Sequence, residues 1–222
     1  MKILIVGGGP SGLALAETLE AQGCDYLLVE ARTRFGGRIM THHLDDGYFD
    51  MGPAWFWPGQ PRIAALIARL KLQKFDQFAD GVLSFEDERG RVQRGQGFSS
   101  MDGSWRLVGG LSALTTALAD RLPDHRKRLA APVIKLEMRD DLCCAKLANG
   151  EQITADQVVL ALPPRVAAQI EFSPALPAVT IQTMQGIDLS LNSPHIFEDG
   201  IHHSWVNLAI KQGGARSKER NT

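Results

Sequence analysis

The sequence predicts an α/β fold built around a parallel sheet. A short aliphatic run at residues 2–6 is typical of a buried parallel strand. A glycine-rich turn follows, then apolar residues at helical spacing up to Gln22, and residues 26–30 read as a second strand. This order fills about thirty residues, the size of one βαβ crossover, and indicates a Rossmann-like domain.

The elements predicted beyond residue 38 are shorter. Periodicity and turn residues predict strands at 39–44 and 48–51, a helix at 62–72, a hairpin of 82–85 with 91–94, a helix at 109–122, an antiparallel meander of 133–138, 143–147 and 152–154, and a buried strand at 157–162. Beyond about residue 178 the local pattern weakens, and we expect an irregular tail.

Composition narrows the class of protein. Apolar residues make up 44% of the chain, charged residues 22%, and the net charge is −1, which argues against binding nucleic acid by phosphate neutralisation. Neither a signal peptide nor an apolar run of the about 20 residues that a membrane helix needs is recognisable, so we expect a cytoplasmic protein. Cysteine and histidine spacings fit no metal site, and we expect reduced structural thiols.

The strongest motif is a GxGxxG turn between the first strand and the first helix. Its residues are Gly7, Gly8, Gly9, Pro10, Ser11 and Gly12. The first glycine of the pattern permits the tight turn, the second lets the backbone approach a diphosphate, and the third lets the helix pack against the sheet. The diphosphate is then expected at the N-terminus of the helix, where free N–H groups and the helix dipole favour negative charge.

Glu30 ends the second strand, 18 residues after Gly12. A carboxylate here can accept hydrogen bonds from the hydroxyls of the adenosine ribose, and it disfavours a 2′-phosphate. The site therefore selects NAD or FAD over NADP, and both remain open at this point.

A second motif, Arg34-Phe35-Gly36-Gly37-Arg38, follows at once. Paired glycines again allow close approach of the backbone, and arginines bind phosphate oxygens in bidentate fashion. A surface turn with two solvated arginines is the alternative interpretation of this motif by itself.

Together the motifs resemble the flavin-containing amine oxidases. Residues 7–12, the triplet 30–32, Arg34-x-Gly-Gly-Arg38 and the run 50–55 occur in the order seen in that family, and the similarity extends to about residue 178. The resemblance implies FAD as the cofactor and a Rossmann-like FAD-binding domain of the glutathione reductase type. It also implies a partial antiparallel-sheet and helical substrate region.

The resemblance also implies roles for individual residues. Gly9 and Ser11 would lie near the diphosphate, and Glu30 would hold the ribose. The residues expected around the adenosine and the diphosphate are Ala31, Arg32, Gly36, Gly37 and Arg38. Near the flavin ring the resemblance implies Gly52, Pro53 and Ala54, and at the adenine it implies the backbone of Val133. Members of the family pass a hydride from an amine or a C–C or C–N bond to flavin N5, and oxygen reoxidises the flavin, so a small-molecule amine is the expected substrate.

Some family features have no counterpart here. A second glycine-rich flavin segment, the lysine near flavin N5 and the aromatic residues that frame the amine match no position, so no catalytic residue is assigned. We expect a truncated or frameshifted oxidase that is poorly soluble or recruits a complementing chain or a second copy. The alternatives are a non-catalytic FAD- or ADP-binding remnant, one part of a split protein and, on weaker grounds, an NAD-binding dehydrogenase domain. The expected division is 1–60 (FAD-binding, first part), 61–125 (helical insertion), 126–178 (meander and returning strand) and 179–222 (tail).

Overall fold

The computed structural model describes residues 1–95, 101–139 and 141–187, together with the backbone of residues 208–209. The chain divides into two compact units. The first comprises Met1–Gly37 and Ala119–Thr222, and the second comprises Arg38–Leu118.

A mostly parallel sheet is the centre of the first unit. Strands β1 (Lys2–Val6) and β2 (Asp25–Val29) are joined by helix α1 (Pro10–Ala21), as the βαβ pattern predicts. Strand β9 (Lys127–Arg128) pairs with β2, and β13 (Gln157–Leu160) pairs with β1, all in parallel. At the other edge, β15 (Leu208–Ala209) runs antiparallel to β13. The order is β15-β13-β1-β2-β9.

A second sheet covers one face of the parallel sheet. It comprises β10 (Val133–Arg139), β11 (Leu142–Leu147), β12 (Gln152–Ala155) and β14 (Glu171–Ser173), in the order β12-β11-β10-β14. Three of these strands are the predicted meander. Leu4, Val6 and Val29 of the parallel sheet share one apolar core with Leu136 and Leu147 of the second sheet.

The opposite face of the parallel sheet meets α1. Because side chains alternate along a strand, Ile5 and Leu28 point away from the core shared by the two sheets, and both are fully buried. Leu13 and Ala16 are buried on α1, which contacts β1 and β2. Helix α1, the parallel sheet and the antiparallel sheet therefore form three layers. The turn that follows β1 lies at the carboxyl edge of the parallel sheet.

The first unit also contains a 3-10 turn at Asp124–Arg126 and two short helices, α4 (Pro164–Ala167) and α5 (Ala178–Gly186). The sequence predicted no regular element at α5. All three cysteines are free, as expected. Burial, assisted by the neighbouring Cys144, raises the pKa of the Cys143 thiol to about 11, so this thiol is a packing group of the core.

The second unit is built from hairpins and helices. Its hairpins are β3 (Thr41–Leu44) with β4 (Gly47–Asp50) and β6 (Ser84–Glu86) with β7 (Val92–Arg94), while β5 (Lys74–Asp76) pairs with β8 (Trp105–Leu107). Helix α2 covers Pro61–Arg69, and α3 covers Ser112–Asp120 and ends in the first unit. Phe56, Ile67, Leu107 and Leu111 are the centre of its core.

Candidate functional site

The glycine-rich turn between β1 and α1 is close-packed on one side. Gly7 has a φ of +114°, and a Cβ there would lie 2.5 Å from the carbonyl oxygen of Ala161, just beyond β13. A Cβ at Gly12 would lie 1.9 Å from the carbonyl oxygen of Gly7. Only glycine fits at these two positions, because any side chain would separate α1 and β13 from the turn.

Gly9 differs from Gly7 and Gly12, because a Cβ there meets a single atom of the described part of the chain, the Cα of Gly37 at 3.9 Å. Gly9 is the N-cap residue of α1, with Pro10 and the half-buried Ser11 behind it. Within the described residues no side chain caps this helix end. Its first N–H groups and the positive end of the helix dipole therefore remain available to an anion.

The carboxylate of Glu30 lies beside this turn and is 7% exposed. Its Oε2 accepts a hydrogen bond from the backbone N–H of Gly8 at 2.7 Å, and its Oε1 accepts one from the N–H of Arg32 at 2.9 Å. These two peptide donors fix the plane of the carboxylate. Each oxygen has a further lone pair with which to accept a ligand hydroxyl.

The segment after Glu30 folds back onto the turn. The N–H of Gly36 donates to the carbonyl of Gly8 at 2.8 Å, and the Phe35 ring fills the space that a side chain at position 8 would need. Gly36 and Gly37 have φ values of +109° and +58°, which explains why glycines are required here. This arrangement brings together the predicted residues 7–9, 30, 32, 36 and 37. The side chain of Ala31, which was also predicted, is exposed.

Val133 begins β10 and is half-buried. Two residues earlier, the N–H of Ala131 donates to the carbonyl oxygen of Glu30 at 2.9 Å. The chain that leads to Val133 therefore runs alongside the backbone of Glu30. The short strand β9, which precedes this stretch, was absent from the sequence prediction.

The remaining predicted residues belong to the second unit. A Cβ at Gly52 would lie 2.3 Å from the carbonyl oxygen of Arg38, so this glycine is required by a close approach of two backbones. Pro53 is half-buried, and Ala54 is buried in the same unit. Their predicted place at the flavin ring stays a prediction.

Sequence reasoning missed a buried polar network around Asp50. Asp50 Oδ1 accepts hydrogen bonds from Thr41 Oγ1 at 2.6 Å and from the N–H of Leu111 at 2.8 Å, and Oδ2 lies 3.2 Å from Arg106 Nη2. Thr41 and Ser112 also exchange hydrogen bonds through their hydroxyls and N–H groups. The three partners of Asp50 come from separate segments, so only the position of Asp50 within the run 50–55 could have drawn attention to it.

The described residues contain no helix that is both long and apolar enough to span a membrane. No three His, Cys, Asp or Glu side chains in those ranges cluster as a metal ion would require.

The chain is similar to known proteins in both sequence and fold. The sequence profile of the family described as flavin containing amine oxidoreductase matches residues 10–97 and 95–192. Putrescine oxidase of Kocuria rosea is 35% identical over 79 residues, which cover 36% of this chain and 16% of that protein. An L-amino acid dehydrogenase of Synechocystis sp. is 38% identical over 89 residues, covering 39% of this chain and 19% of its own length.

Solved structures show the same fold. Wild-type putrescine oxidase bound to putrescine superposes with a TM-score of 0.74 at 20% identity, covering 83% of this chain and 63% of that one. Cyclohexylamine oxidase from Brevibacterium oxydans gives 0.74 at 18% identity, with coverage of 83% and 62%. The chain thus spans less than two thirds of these relatives. Because the family profile matches most of its residues, the chain belongs to the flavin containing amine oxidoreductase family, which implies FAD as its cofactor.

Proposed function

We propose that residues 7–12 and Glu30 bind the ADP half of FAD, and that the chain works as a FAD-dependent amine oxidase. The observation that carries this proposal is the Glu30 carboxylate, oriented by two peptide N–H groups beside an uncapped helix N-terminus. A diphosphate at the start of α1 would interact with the free N–H groups, and the ribose hydroxyls would donate to Glu30.

The residues present fit the ADP group. Gly9 and Gly37 face each other without side chains between them, so a diphosphate can approach both backbones. We assign the cofactor site to Gly7, Gly8, Gly9, Pro10, Ser11, Gly12, Glu30, Ala31, Arg32, Gly36, Gly37 and Val133, with Arg38, Gly52, Pro53 and Ala54 proposed from the family pattern. The first set would bind the adenosine diphosphate in a domain of the glutathione reductase type.

FAD, when bound, supplies the hydride acceptor for oxidation of the substrate. The contribution of this chain is to bind and orient that cofactor. A small amine is the substrate class that we propose, because two of the similar proteins are named for the oxidation of putrescine and of cyclohexylamine.

Substitution of Gly9 by alanine tests the cofactor site. The new methyl group would stand where the diphosphate approaches, while its contact with Gly37 is an ordinary one and the φ of Gly9, −75°, suits alanine. We expect the dissociation constant for FAD to rise about tenfold or more, which corresponds to about 1.4 kcal/mol, with an unchanged melting temperature. Flavin fluorescence titration and thermal melting measure these two quantities.

Gly186→Ala is the matched control, because none of the described residues lies within 4 Å of a Cβ at that position in α5 of the same unit. It should bind FAD as the unsubstituted chain does. Equal affinity of the Gly9→Ala variant would contradict the proposed site. Peroxide release with linear diamines and cyclic amines then tests catalysis, since a non-catalytic FAD-binding protein or one part of a split enzyme would bind flavin and release no peroxide.

A further inference from the structure

The turn at Gly36 and Gly37 packs against the glycine-rich turn between β1 and α1. A Cβ at Gly37 would lie 3.2 Å from the Cα of Gly9, so the two backbones are in close contact beside the proposed diphosphate site. The N–H of Gly36 is hydrogen-bonded to the carbonyl of Gly8. Anything that holds the Gly36–Gly37 turn in place therefore also fixes the backbone that borders the proposed diphosphate site.

Two guanidinium groups converge on the carbonyl oxygen of Gly37. Arg32 Nη1 and Arg34 Nη2 each donate to it at 2.9 Å, which occupies both lone pairs of that oxygen. Arg34 Nη1 also donates to the carbonyl oxygen of Phe35 at 3.2 Å. Arg34 is half-buried, and both of its terminal nitrogens bind the backbone of its own turn.

We propose that Arg34 is a positioning residue, which fixes the Gly36–Gly37 turn for FAD before the cofactor binds and does not itself bind phosphate. The inference rests on the proposed function of this site. The motif alone leaves open whether Arg34 binds phosphate or lies solvated in a surface turn, but its terminal nitrogens point at two carbonyl oxygens of the turn. Charge-assisted hydrogen bonds of this kind are stronger than neutral ones, and they also fix the geometry of the groups that they join.

A positioning residue and a phosphate ligand differ in how their loss changes the salt dependence of FAD affinity. A direct contact with a diphosphate is a charge interaction that added salt screens, so its loss makes FAD affinity less dependent on salt. A residue that only holds the Gly37 carbonyl in place, here called a backbone clamp, does not contact the diphosphate. Loss of such a clamp weakens FAD binding by a similar factor at every salt concentration. A backbone clamp also holds the turn in the cofactor-free chain, so its loss should loosen the hydrogen bond that the Gly36 amide donates.

The test compares Arg34→Met and Arg34→Lys with the control Arg139→Met, which removes an exposed guanidinium from the other sheet of the same unit. For Arg34→Met we expect the dissociation constant for FAD to rise about tenfold, with the salt dependence and the melting temperature unchanged. Hydrogen exchange of the Gly36 amide should become faster in the cofactor-free chain. Arg139→Met should change neither the dissociation constant for FAD nor the exchange rate of the Gly36 amide.

Arg34→Lys keeps the charge but can reach only one carbonyl at a time, so intermediate FAD affinity and intermediate exchange are expected. This variant decides the question even if Arg34→Met does not fold. The proposal is overturned if Arg34→Lys binds FAD as tightly as the original chain, or if either variant weakens the salt dependence. Failure of the unsubstituted chain to bind FAD would instead refute the proposed function, and exchange at Gly36 would still report on the clamp.

Discussion

Each unit of the molecule contains a buried carboxylate that several backbone or side-chain groups hold, Glu30 in the first unit and Asp50 in the second, and the two carboxylates differ in their partners. Glu30 of the first unit accepts one peptide N–H on each oxygen. Asp50 of the second unit accepts a hydroxyl and a peptide N–H on one oxygen and lies against the Arg106 guanidinium with the other. The Asp50 side chain is 1% exposed.

This difference separates a structural carboxylate from a ligand-binding one. The charge of Asp50 is compensated inside the unit by Arg106 and by two further hydrogen bonds, so Asp50 ties together the segments that supply its partners. Among the described residues, Glu30 is oriented by two neutral peptide N–H groups, and its remaining lone pairs can accept hydrogen bonds from the hydroxyls of a ribose. The same residue chemistry therefore stabilises the fold in one unit and is proposed to recognise a cofactor in the other.

The largest expected effect belongs to Asp50→Ala. Removing the carboxylate leaves the Arg106 charge and the donors of Thr41 and Leu111 without their acceptor, which should lower the free energy of unfolding by about 3 kcal/mol. Urea denaturation measures the loss. Asp80→Ala, at an exposed acidic residue of the same unit, should leave the unfolding curve unchanged. Equal effects of the two substitutions would show that the Asp50 network contributes nothing specific.

Glu30→Gln should act mainly on cofactor affinity. An amide oxygen is a weaker acceptor than a carboxylate, and the new NH2 group would face the N–H of Gly8 or Arg32. We expect FAD binding to weaken by about 2 kcal/mol, roughly 30-fold, and stability to fall by about 1 kcal/mol. Glu17→Gln is the matched control, since Glu17 is also buried in the first unit but pairs with Arg121. It should alter stability without altering the FAD titration, and the opposite pattern would contradict the roles given to these two residues.

The elements that the sequence predicted well are those whose signal is local. Strands β1 and β13 and helix α1 have continuous apolar runs or helical spacing, bounded by glycine or proline. The helix predicted to begin at residue 109 begins at Ser112, because Gly109 and Gly110 have φ values of +82° and +80° that no α-helix contains.

What the sequence could not predict depends on distant partners. The pairing of β5 with β8 joins Phe75 to Arg106, and no local periodicity marks such a pair. Strand β9 has only two residues, too few to show alternation. At the proposed site, the glycine motif and Glu30 follow from spacing, but the use of Arg34 nitrogens on carbonyl oxygens of its own turn required coordinates.

The most direct test of the account is a competition between two nucleotides for the FAD site. Bound FAD is titrated with ADP and, separately, with ADP that carries an additional 2′-phosphate, and the displaced flavin is followed by its fluorescence. The Glu30 carboxylate should repel the 2′-phosphate, so we expect ADP to compete at least about tenfold better. Equal competition by the two nucleotides, or no displacement by ADP, would contradict the assignment of the glycine-rich turn and Glu30 to the ADP half of FAD.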